Sequence, residues 1–255
     1  MPKSAKETIK KNFSKYALTY DKYAFVQHET AKKLARMLPE NARNILDIGC
    51  GTGIFTKLIK DKYQSPNILA LDLSPQMISV AKKKLGNKVM FVSGDAEEID
   101  IPVKFDLIAS NATFQWFRKM DSTLAKYKKL LEKKGSIIFS TFGPLTYHEL
   151  SRTLKEVLKK NVFISSNMFI SKVELEHMIK KHFSVFSVSE VNIIEKNRSI
   201  SELLKKIKYT GTHGYGIMGT NYLGKEMLKK MDEHYKAKHK NLETTYQIFF
   251  CEARA

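Results

Sequence analysis

One short segment combines an acid with three alternating glycines, a pattern suited to a site for a cofactor. Asp47 comes first, Gly49, Gly51 and Gly53 follow, and Cys50 lies between the first two glycines. Glycine has no β-carbon, so the backbone can turn sharply here and a ligand can approach the main chain. Nicotinamide sites use similar turns, and the glycines by themselves therefore do not identify the cofactor.

Acids at the carboxyl ends of three predicted strands narrow the choice of cofactor. Asp47 would repel the pyrophosphate of a dinucleotide, but it can pair with the cationic amino group of a methionine moiety. Asp72 follows about twenty residues later, where a carboxylate accepts hydrogen bonds from both ribose hydroxyls. Asp95, next to Ala96, is placed to read the edge of an adenine. Any one of these acids could be a helix cap or an exposed turn residue, but together they predict S-adenosyl-L-methionine as the cofactor.

These acids need a fold that gathers strand ends, and the chain alternates strands with helices. The predicted strands are 44–48, 68–73, 89–92, 105–110, 136–142, 184–194 and 244–251, and the predicted helices are 4–37, 54–63, 75–85, 122–131, 147–160 and 172–181. A lysine-rich helical segment over 196–240 is broken by glycines at 211–216. The alternation predicts a doubly wound α/β fold with a seven-stranded, mostly parallel sheet and an antiparallel last strand.

The predicted fold is a single domain with its ligand site at one edge. Right-handed crossovers bring the carboxyl ends of parallel strands together, and ligands bind there. We divide the chain into an N-terminal helical cap (1–38), a cofactor-binding core (40–142), two lid insertions (143–170 and 196–241) and the last strand (243–253). Both insertions leave from carboxyl ends, so we expect them to lie above the site with the cap.

Composition limits the remaining classes of protein. The chain of 255 residues carries a formal charge of +18, which favours an acidic partner, although a general bias toward lysine would give the same value. The two cysteines and seven scattered histidines lack metal-ligand spacing, so we predict no metal. The absence of a long apolar run predicts a cytoplasmic protein that does not bind membranes. We expect it to be a monomer.

Residues 40–142 resemble the class I S-adenosylmethionine-dependent methyltransferase superfamily in the glycine turn and in the acids that follow each strand. This resemblance implies that the cofactor pocket draws on the turn, the strand ends and the N-terminal helix. The implied cofactor-binding residues are Gln27, Asp47, Gly49, Cys50, Gly51, Gly53, Asp72, Leu73, Met77, Asp95, Ala96 and Asn111.

Segments over nearly the whole chain resemble the malonyl-(acyl-carrier protein) O-methyltransferase family, which acts early in biotin synthesis. The discriminating segments are Phe139 to Gly143, Lys208 to Gly211, and Thr245-Tyr246. The resemblance implies methylation of the free carboxylate of malonyl-acyl carrier protein or malonyl-CoA, with the acidic carrier protein as partner. That carboxylate is already ionised at neutral pH, so the reaction needs no general base.

Four residues are candidates for handling the substrate. Tyr20 belongs to a segment that resembles the family and could direct its hydroxyl and ring at the reacting groups. It could equally be a core residue, because it shares a helical stripe with Phe13. Lys208 is the first candidate to hold the substrate carboxylate, and Arg198 and His213 are further candidates. A solvated helix face is the alternative for each cation.

Two other functions remain open at this stage. A methyltransferase for another small molecule would share the cofactor site and differ in its lid. A nucleic-acid methyltransferase would fit the charge, but Asn111-Ala-Thr-Phe114 lacks the proline-aromatic element used for base amino groups, and no Pro-Cys nucleophile is present. The sequence also lacks an appended binding module, so we expect no nucleic-acid partner.

Overall fold

The computed structural model describes residues 3–159, 161–211, 223–239 and 241–255. The described helices are α1 (Lys3–Tyr16), α2 (Tyr20–Tyr23), α3 (Phe25–Met37), α4 (Ile54–Lys62), α5 (Pro75–Leu85), α6 (Met120–Lys129), α7 (His148–Leu158), α8 (Lys172–His182), α9 (Ile200–Tyr209) and α10 (Lys225–His239). The described strands are β1 (Asn44–Ile48), β2 (Asn67–Asp72), β3 (Met90–Ser93), β4 (Phe105–Ser110), β5 (Leu131–Phe142), β6 (Val185–Asn197) and β7 (Leu242–Arg254).

The strands form one seven-stranded sheet in the order β3-β2-β1-β4-β5-β7-β6. Strands β1 to β5 are parallel, and β7 runs antiparallel to both of its neighbours, β5 and β6. In β1, Ile45, Leu46 and Ile48 are fully buried, because helices cover both faces of the sheet. The predicted doubly wound α/β fold with an antiparallel last strand is therefore confirmed.

The prediction of one long N-terminal helix over 4–37 is wrong. The chain turns at Thr19, whose amide donates to the carbonyl of Tyr16 at 3.0 Å, and helices α1, α2 and α3 follow one another. The chain is divided into three helices because each packs against a different partner: α1 against α5, α2 against α9, and α3 against α4. A straight helix could not reach all three partners. Tyr20 and Phe13 consequently belong to different helices.

Strands β6 and β7 are longer than their apolar patterns predict. They pair from Val185 opposite Arg254 to Asn197 opposite Leu242, whereas β5 ends at Phe142 opposite Ile248. The last part of this hairpin therefore extends beyond the carboxyl edge of the parallel strands. The strand predicted from alternation ends too early at residue 194. In the structure β6 is an edge strand, and its backbone pairing with β7 continues through polar residues.

Helix α9 supports the N-terminal cap. The ring of Tyr209 stacks on Tyr23 at a centroid distance of 4.7 Å and meets Tyr16 edge-on at 5.1 Å. Helix α10 packs against α7, α9 and β7. The described part of the second insertion thus lies behind the cap. None of the helices in the described ranges combines the length and apolar character needed to cross a bilayer.

Candidate cofactor and active site

A pocket opens at the carboxyl edge of the parallel strands, beneath α1 and α2. It brings together most of the residues that the sequence assigned to the cofactor and to catalysis. The predicted residues that line it are Tyr20, Gln27, Gly49, Gly51, Asp72, Leu73, Met77, Asp95, Ala96 and Asn111. Strand ends that are far apart in sequence therefore meet at one cavity, as the topology requires.

The glycine turn joins β1 to α4 and is held by the end of β2. The amides of Gly49 and Cys50 donate to the carbonyl of Leu71 at 2.7 and 3.0 Å, and the amide of Gly51 donates to Asp72 Oδ2 at 2.8 Å. Gly51 has a φ of +54°, and a β-carbon there would meet no atom within 4 Å. Because Gly51 lines the pocket, a larger residue would take up ligand space.

Within the described part of the chain, three predicted cofactor residues do not line the pocket: Asp47, which lies buried behind the glycine turn, Cys50 and Gly53. The side chain of Cys50 is buried in the core, and burial raises the pKa of its thiol well above the usual value. Gly53 begins α4 with a φ of +86°, and a β-carbon there would lie 2.9 Å from Leu85 Cδ1. Neither residue lines the pocket among the described residues. Gly53 instead permits α4 to approach α5 closely.

Asp47 is the clearest sign of a cationic ligand. It is fully buried, and its Oδ2 accepts a hydrogen bond from Thr56 Oγ1 at 2.6 Å, whereas no hydrogen-bond partner of Oδ1 occurs among the described residues. Burial raises the pKa of Asp47 to about 7; the hydrogen bond from Thr56 partly offsets this rise, and Asp72 adds a smaller increase. A buried carboxylate with a free acceptor fits the ammonium group of a methionyl cofactor.

Asp72 shapes the pocket as well as lining it. Its two oxygens accept hydrogen bonds from the amides of Gly51 and Ser74, at 2.8 and 2.7 Å. Burial raises the pKa of Asp72 to about 6, although both amide hydrogen bonds lower it. Each carboxylate oxygen retains a lone pair, so Asp72 can also accept from a ribose diol. Leu73 and Met77 lie beside it, where they can pack on an adenosine.

Asp95 is joined to α1, which the sequence analysis did not predict. Lys6 Nζ donates to Asp95 Oδ1 at 2.7 Å and also pairs with Glu97. Lys6 lines the pocket together with Ile9 and Lys10. The N-terminal helix therefore closes the end of the pocket that contains Asp95. No local pattern signals this contact, because Lys6 and Asp95 are 89 residues apart.

Tyr20 begins α2 and faces the pocket. Its neighbour Asp21 accepts a hydrogen bond from Thr52 Oγ1 of the glycine turn at 2.5 Å and pairs with Lys84. Burial, then Asp21, Asp72 and Tyr147, raise the pKa of Tyr20 well above its usual range. Tyr20 is consequently a neutral hydrogen-bond donor at physiological pH. The sequence analysis missed Thr52, which fixes α2 to the turn.

Asn111 connects the cap to the middle of the sheet. Its Nδ2 donates to the carbonyl of Gln27 at 3.1 Å, and its Oδ1 accepts from Ser140 Oγ at 2.9 Å. The side chain of Gln27 is buried and lines the pocket. Both predicted residues thus lie at the site, where they join α3 to β4 and β5.

An aromatic wall forms the remaining side of the pocket. Trp116 meets Phe13 edge-on at 6.2 Å and Phe169 edge-on at 5.8 Å, and Phe13 lies 6.2 Å from Tyr20. Phe142 at the end of β5 also lines the cavity. Phe13, a candidate core residue in the sequence, therefore lies in this wall. Phe169 from the first insertion contacts Trp116.

The candidate cations for the substrate do not line this pocket in the described residues. Lys208 is exposed on α9, with Nζ 6.0 Å from the ring centroid of Tyr209. Arg198 is exposed at the start of α9, and its amide donates to Glu202 Oε2 at 2.7 Å. His213 lies outside the described residues. Within the described ranges, no cluster of three His, Cys, Asp or Glu side chains could hold a metal ion.

The sequence matches known enzymes over most of its length. Residues 46–139 match a methyltransferase domain family. A malonyl-(acyl-carrier protein) O-methyltransferase of Ilyobacter polytropus is 33% identical over 252 residues, which cover 96% of each chain. The enzyme of the same name from Acetivibrio thermocellus is 31% identical, covering 98% of this chain and 94% of that one. The Priestia megaterium enzyme is 42% identical over 68% of this chain and 65% of its own.

Solved structures share the fold at low sequence identity. The YcgJ protein of Bacillus subtilis superposes with a TM-score of 0.62 at 14% identity, covering 89% of this chain and 98% of that one. A phosphoethanolamine N-methyltransferase of Haemonchus contortus, solved with S-adenosylhomocysteine, has a TM-score of 0.58 at 18% identity. That match covers 94% of this chain and 57% of the other.

Proposed function

The chain belongs to the malonyl-(acyl-carrier protein) O-methyltransferase family, and we propose that it methylates the free carboxylate of malonyl-acyl carrier protein with S-adenosyl-L-methionine as methyl donor. The structural observation that best supports the cofactor is the buried Asp47 at the glycine turn, whose Oδ1 has no hydrogen-bond partner among the described residues, and the substrate rests on the names of the relatives. The product is a methyl ester, and we place the reaction early in biotin synthesis.

The described residues fit the cofactor part by part. Asp47 binds the ammonium group, Asp72 binds the ribose hydroxyls, and Asp95 with the amide of Ala96 binds the adenine edge. When bound, the cofactor supplies an electrophilic methyl group on a sulfonium. The aromatic wall and α1 exclude water from this methyl, which protects it from hydrolysis.

The acceptor needs alignment more than activation. A carboxylate oxygen would attack the methyl group in line with the sulfonium, so that the O–CH3 bond forms as the S–CH3 bond breaks and S-adenosylhomocysteine leaves; this alignment can contribute much of the rate. Tyr20 is placed to donate a hydrogen bond that orients the acceptor, and its raised pKa keeps the phenol protonated. The face of its aromatic ring can also attract the positively charged sulfonium. We retain Lys208, Arg198 and His213 as candidates to bind the substrate carboxylate, which requires the second insertion to close over the pocket.

The proposed activity is tested by mass spectrometry of malonyl-acyl carrier protein incubated with the enzyme and cofactor. We expect the carrier to gain one methyl group and the mass to return to its starting value after mild alkaline hydrolysis of the ester. Malonyl-CoA in a parallel reaction measures the preference for the carrier. An unchanged carrier mass together with methylation of malonyl-CoA would restrict the function to the small thioester.

We predict that the exposed lysines of α10 attract the acidic carrier protein. The lysines chosen are Lys225, Lys229, Lys230 and Lys236, all on the solvent side of the helix. Changing them to glutamine should raise KM for malonyl-acyl carrier protein about fivefold, because steering between opposite charges is lost. Cofactor affinity should not change. Steady-state kinetics at several salt concentrations measures the effect.

The control for this prediction removes charge at the opposite edge of the sheet. Lys133 and Lys134 are exposed near the start of β5, away from the pocket. Their change to glutamine should leave KM as in the wild type. Exposed charges are screened over about 8 Å at physiological salt, so KM of the wild type should rise with ionic strength. A wild-type KM without salt dependence would mean that the lysines of α10 are only solvated surface.

A further inference from the structure

Tyr246 lies in β7, beyond the end of β5, and the proposed mechanism gives it no role. Its side chain is 4% exposed. Its ring packs against Phe142 at a centroid distance of 6.2 Å and meets Tyr147 edge-on at 5.0 Å. Because Phe142 lines the pocket, Tyr246 supports the pocket wall from behind.

The hydroxyl of Tyr246 is fixed by a buried ion pair. It donates to Glu195 Oε2 at 2.8 Å, and Glu195 Oε1 pairs with Lys206 Nζ at 2.9 Å. Lys206 also donates to Asn197 Oδ1 at 2.7 Å. A buried carboxylate is costly without such partners, so these groups hold one another in a defined arrangement. Tyr246 is therefore attached to both β6 and α9.

Tyr147 and Phe142 connect this arrangement to the pocket that Tyr20 lines. Tyr147 has a φ of +63°, a left-handed conformation that is uncommon for a tyrosine, and its amide donates to the carbonyl of Thr245 at 2.9 Å. Both rings pack on Tyr246, and Phe142 lines the same cavity as Tyr20. In agreement with this packing, Tyr147 is among the neighbours that raise the pKa of Tyr246, after burial, and that of Tyr20.

We propose that Tyr246 is a positioning residue for methyl transfer, which acts through Tyr147 and Phe142 to hold Tyr20 and the acceptor side of the pocket in the reactive arrangement. The inference rests on the proposed function and adds a residue to it. Glu195 and Lys206 hold Tyr246 in place. Asp47 and Asp72 lie in β1 and β2, which β4 and β5 separate from β7 in the sheet, so we expect cofactor binding not to depend on this support.

The test compares Tyr246→Phe with a matched variant, Tyr63→Phe. The hydroxyl of Tyr63 also donates a hydrogen bond, to the carbonyl of Pro39 at 2.7 Å, but it lies at the opposite edge of the sheet. Tyr246→Phe should lower kcat about tenfold and leave KM for the carrier and Kd for the cofactor within about twofold, because alignment and not binding is lost. Tyr63→Phe should match the wild type.

A double variant distinguishes positioning from general loosening of the fold. If Tyr246 acts through Tyr20, Tyr20→Phe should reduce kcat less in the Tyr246→Phe background than in the wild type. Fully additive effects, an unchanged kcat for Tyr246→Phe, or an equal fall in kcat for Tyr63→Phe would each overturn the inference.

A fluorescence measurement keeps this test independent of the substrate. Trp116 is the single tryptophan of the chain, and it contacts Phe13, which in turn contacts Tyr20. With cofactor bound, we expect the emission of Tyr246→Phe to shift while that of Tyr63→Phe matches the wild type. If the wild type does not methylate malonyl-acyl carrier protein, the proposed function fails, and the emission alone decides the inference. An unshifted spectrum overturns it.

Discussion

Replacing Asp47 with asparagine is expected to weaken binding of S-adenosyl-L-methionine about 100-fold, or roughly 3 kcal/mol, because a buried charge pair with the cofactor ammonium is lost. Asparagine preserves the shape of the side chain and can still accept the hydrogen bond from Thr56. Isothermal titration calorimetry measures the change. Asp106→Asn is the control, since Asp106 accepts amide hydrogen bonds from Arg43 and Asn44 at the opposite edge of the sheet. An Asp47→Asn affinity equal to that of the wild type would remove Asp47 from the site.

The pH dependence of cofactor binding follows from the same carboxyl. The pKa of Asp47 is raised to about 7, so the carboxyl is mostly protonated below that pH and must lose a proton to pair with the ammonium group. Cofactor affinity should therefore fall as pH decreases from 7.5 to about 5.5, by at most about tenfold per pH unit for this group. Asp72, with a pKa of about 6, adds to the lower part of this range. Asp47→Asn should show a smaller pH dependence.

Ionisation of Asp47, which favours cofactor binding, should lower the stability of the cofactor-free protein. The folded-state pKa of Asp47, about 7, is above the unfolded value of 3.8. Its ionisation therefore destabilises the folded protein as pH rises from about 4 to about 7. Asparagine removes this cost at neutral pH. We expect the Tm of cofactor-free Asp47→Asn to equal or exceed that of the wild type. A lower Tm would mean that loss of binding reflects damage to the fold.

Tyr20→Phe is expected to lower kcat about 30-fold while cofactor affinity stays within about twofold, because the hydroxyl orders the acceptor in the transition state. The ring, and with it the contact to Phe13, is retained. The raised pKa of Tyr20 keeps the phenol neutral, so the wild-type rate should show no ionisation of Tyr20 between pH 6 and about 9. Steady-state kinetics with malonyl-acyl carrier protein measures kcat, and single-turnover methyl transfer measures the chemical step free of product release.

The alternative for Tyr20 is a packing role. In that case Tyr20→Phe would leave turnover as in the wild type, and only Tyr20→Ala would reduce it, together with the Tm. Tyr63→Phe again serves as the matched control, because it removes a hydroxyl far from the pocket. A loss of cofactor affinity as large as the loss of turnover would indicate that Tyr20 binds the cofactor and does not order the acceptor.

The cofactor core could be predicted from the sequence because the signals there are local. A strand, a glycine turn and a helix follow within a few residues of one another, and Asp47, Asp72 and Asp95 lie at or just beyond the carboxyl ends of β1, β2 and β3. Parallel topology then brings these acids to one edge without further information. The fold class, and the place of most of the predicted cofactor residues at the pocket, follow from this regularity.

The closure and support of the site depend on tertiary contacts that no local sequence pattern predicts. The contacts of Lys6 with Asp95, Thr52 with Asp21, and Tyr246 with Glu195 join segments far apart in the chain. Periodicity describes which face of a helix is buried, but not against which partner, so the stripe at the N-terminus could not predict three separate helices. Exposure is equally a property of the packed molecule. It places Lys208 at the surface of α9, although its segment resembles the family's.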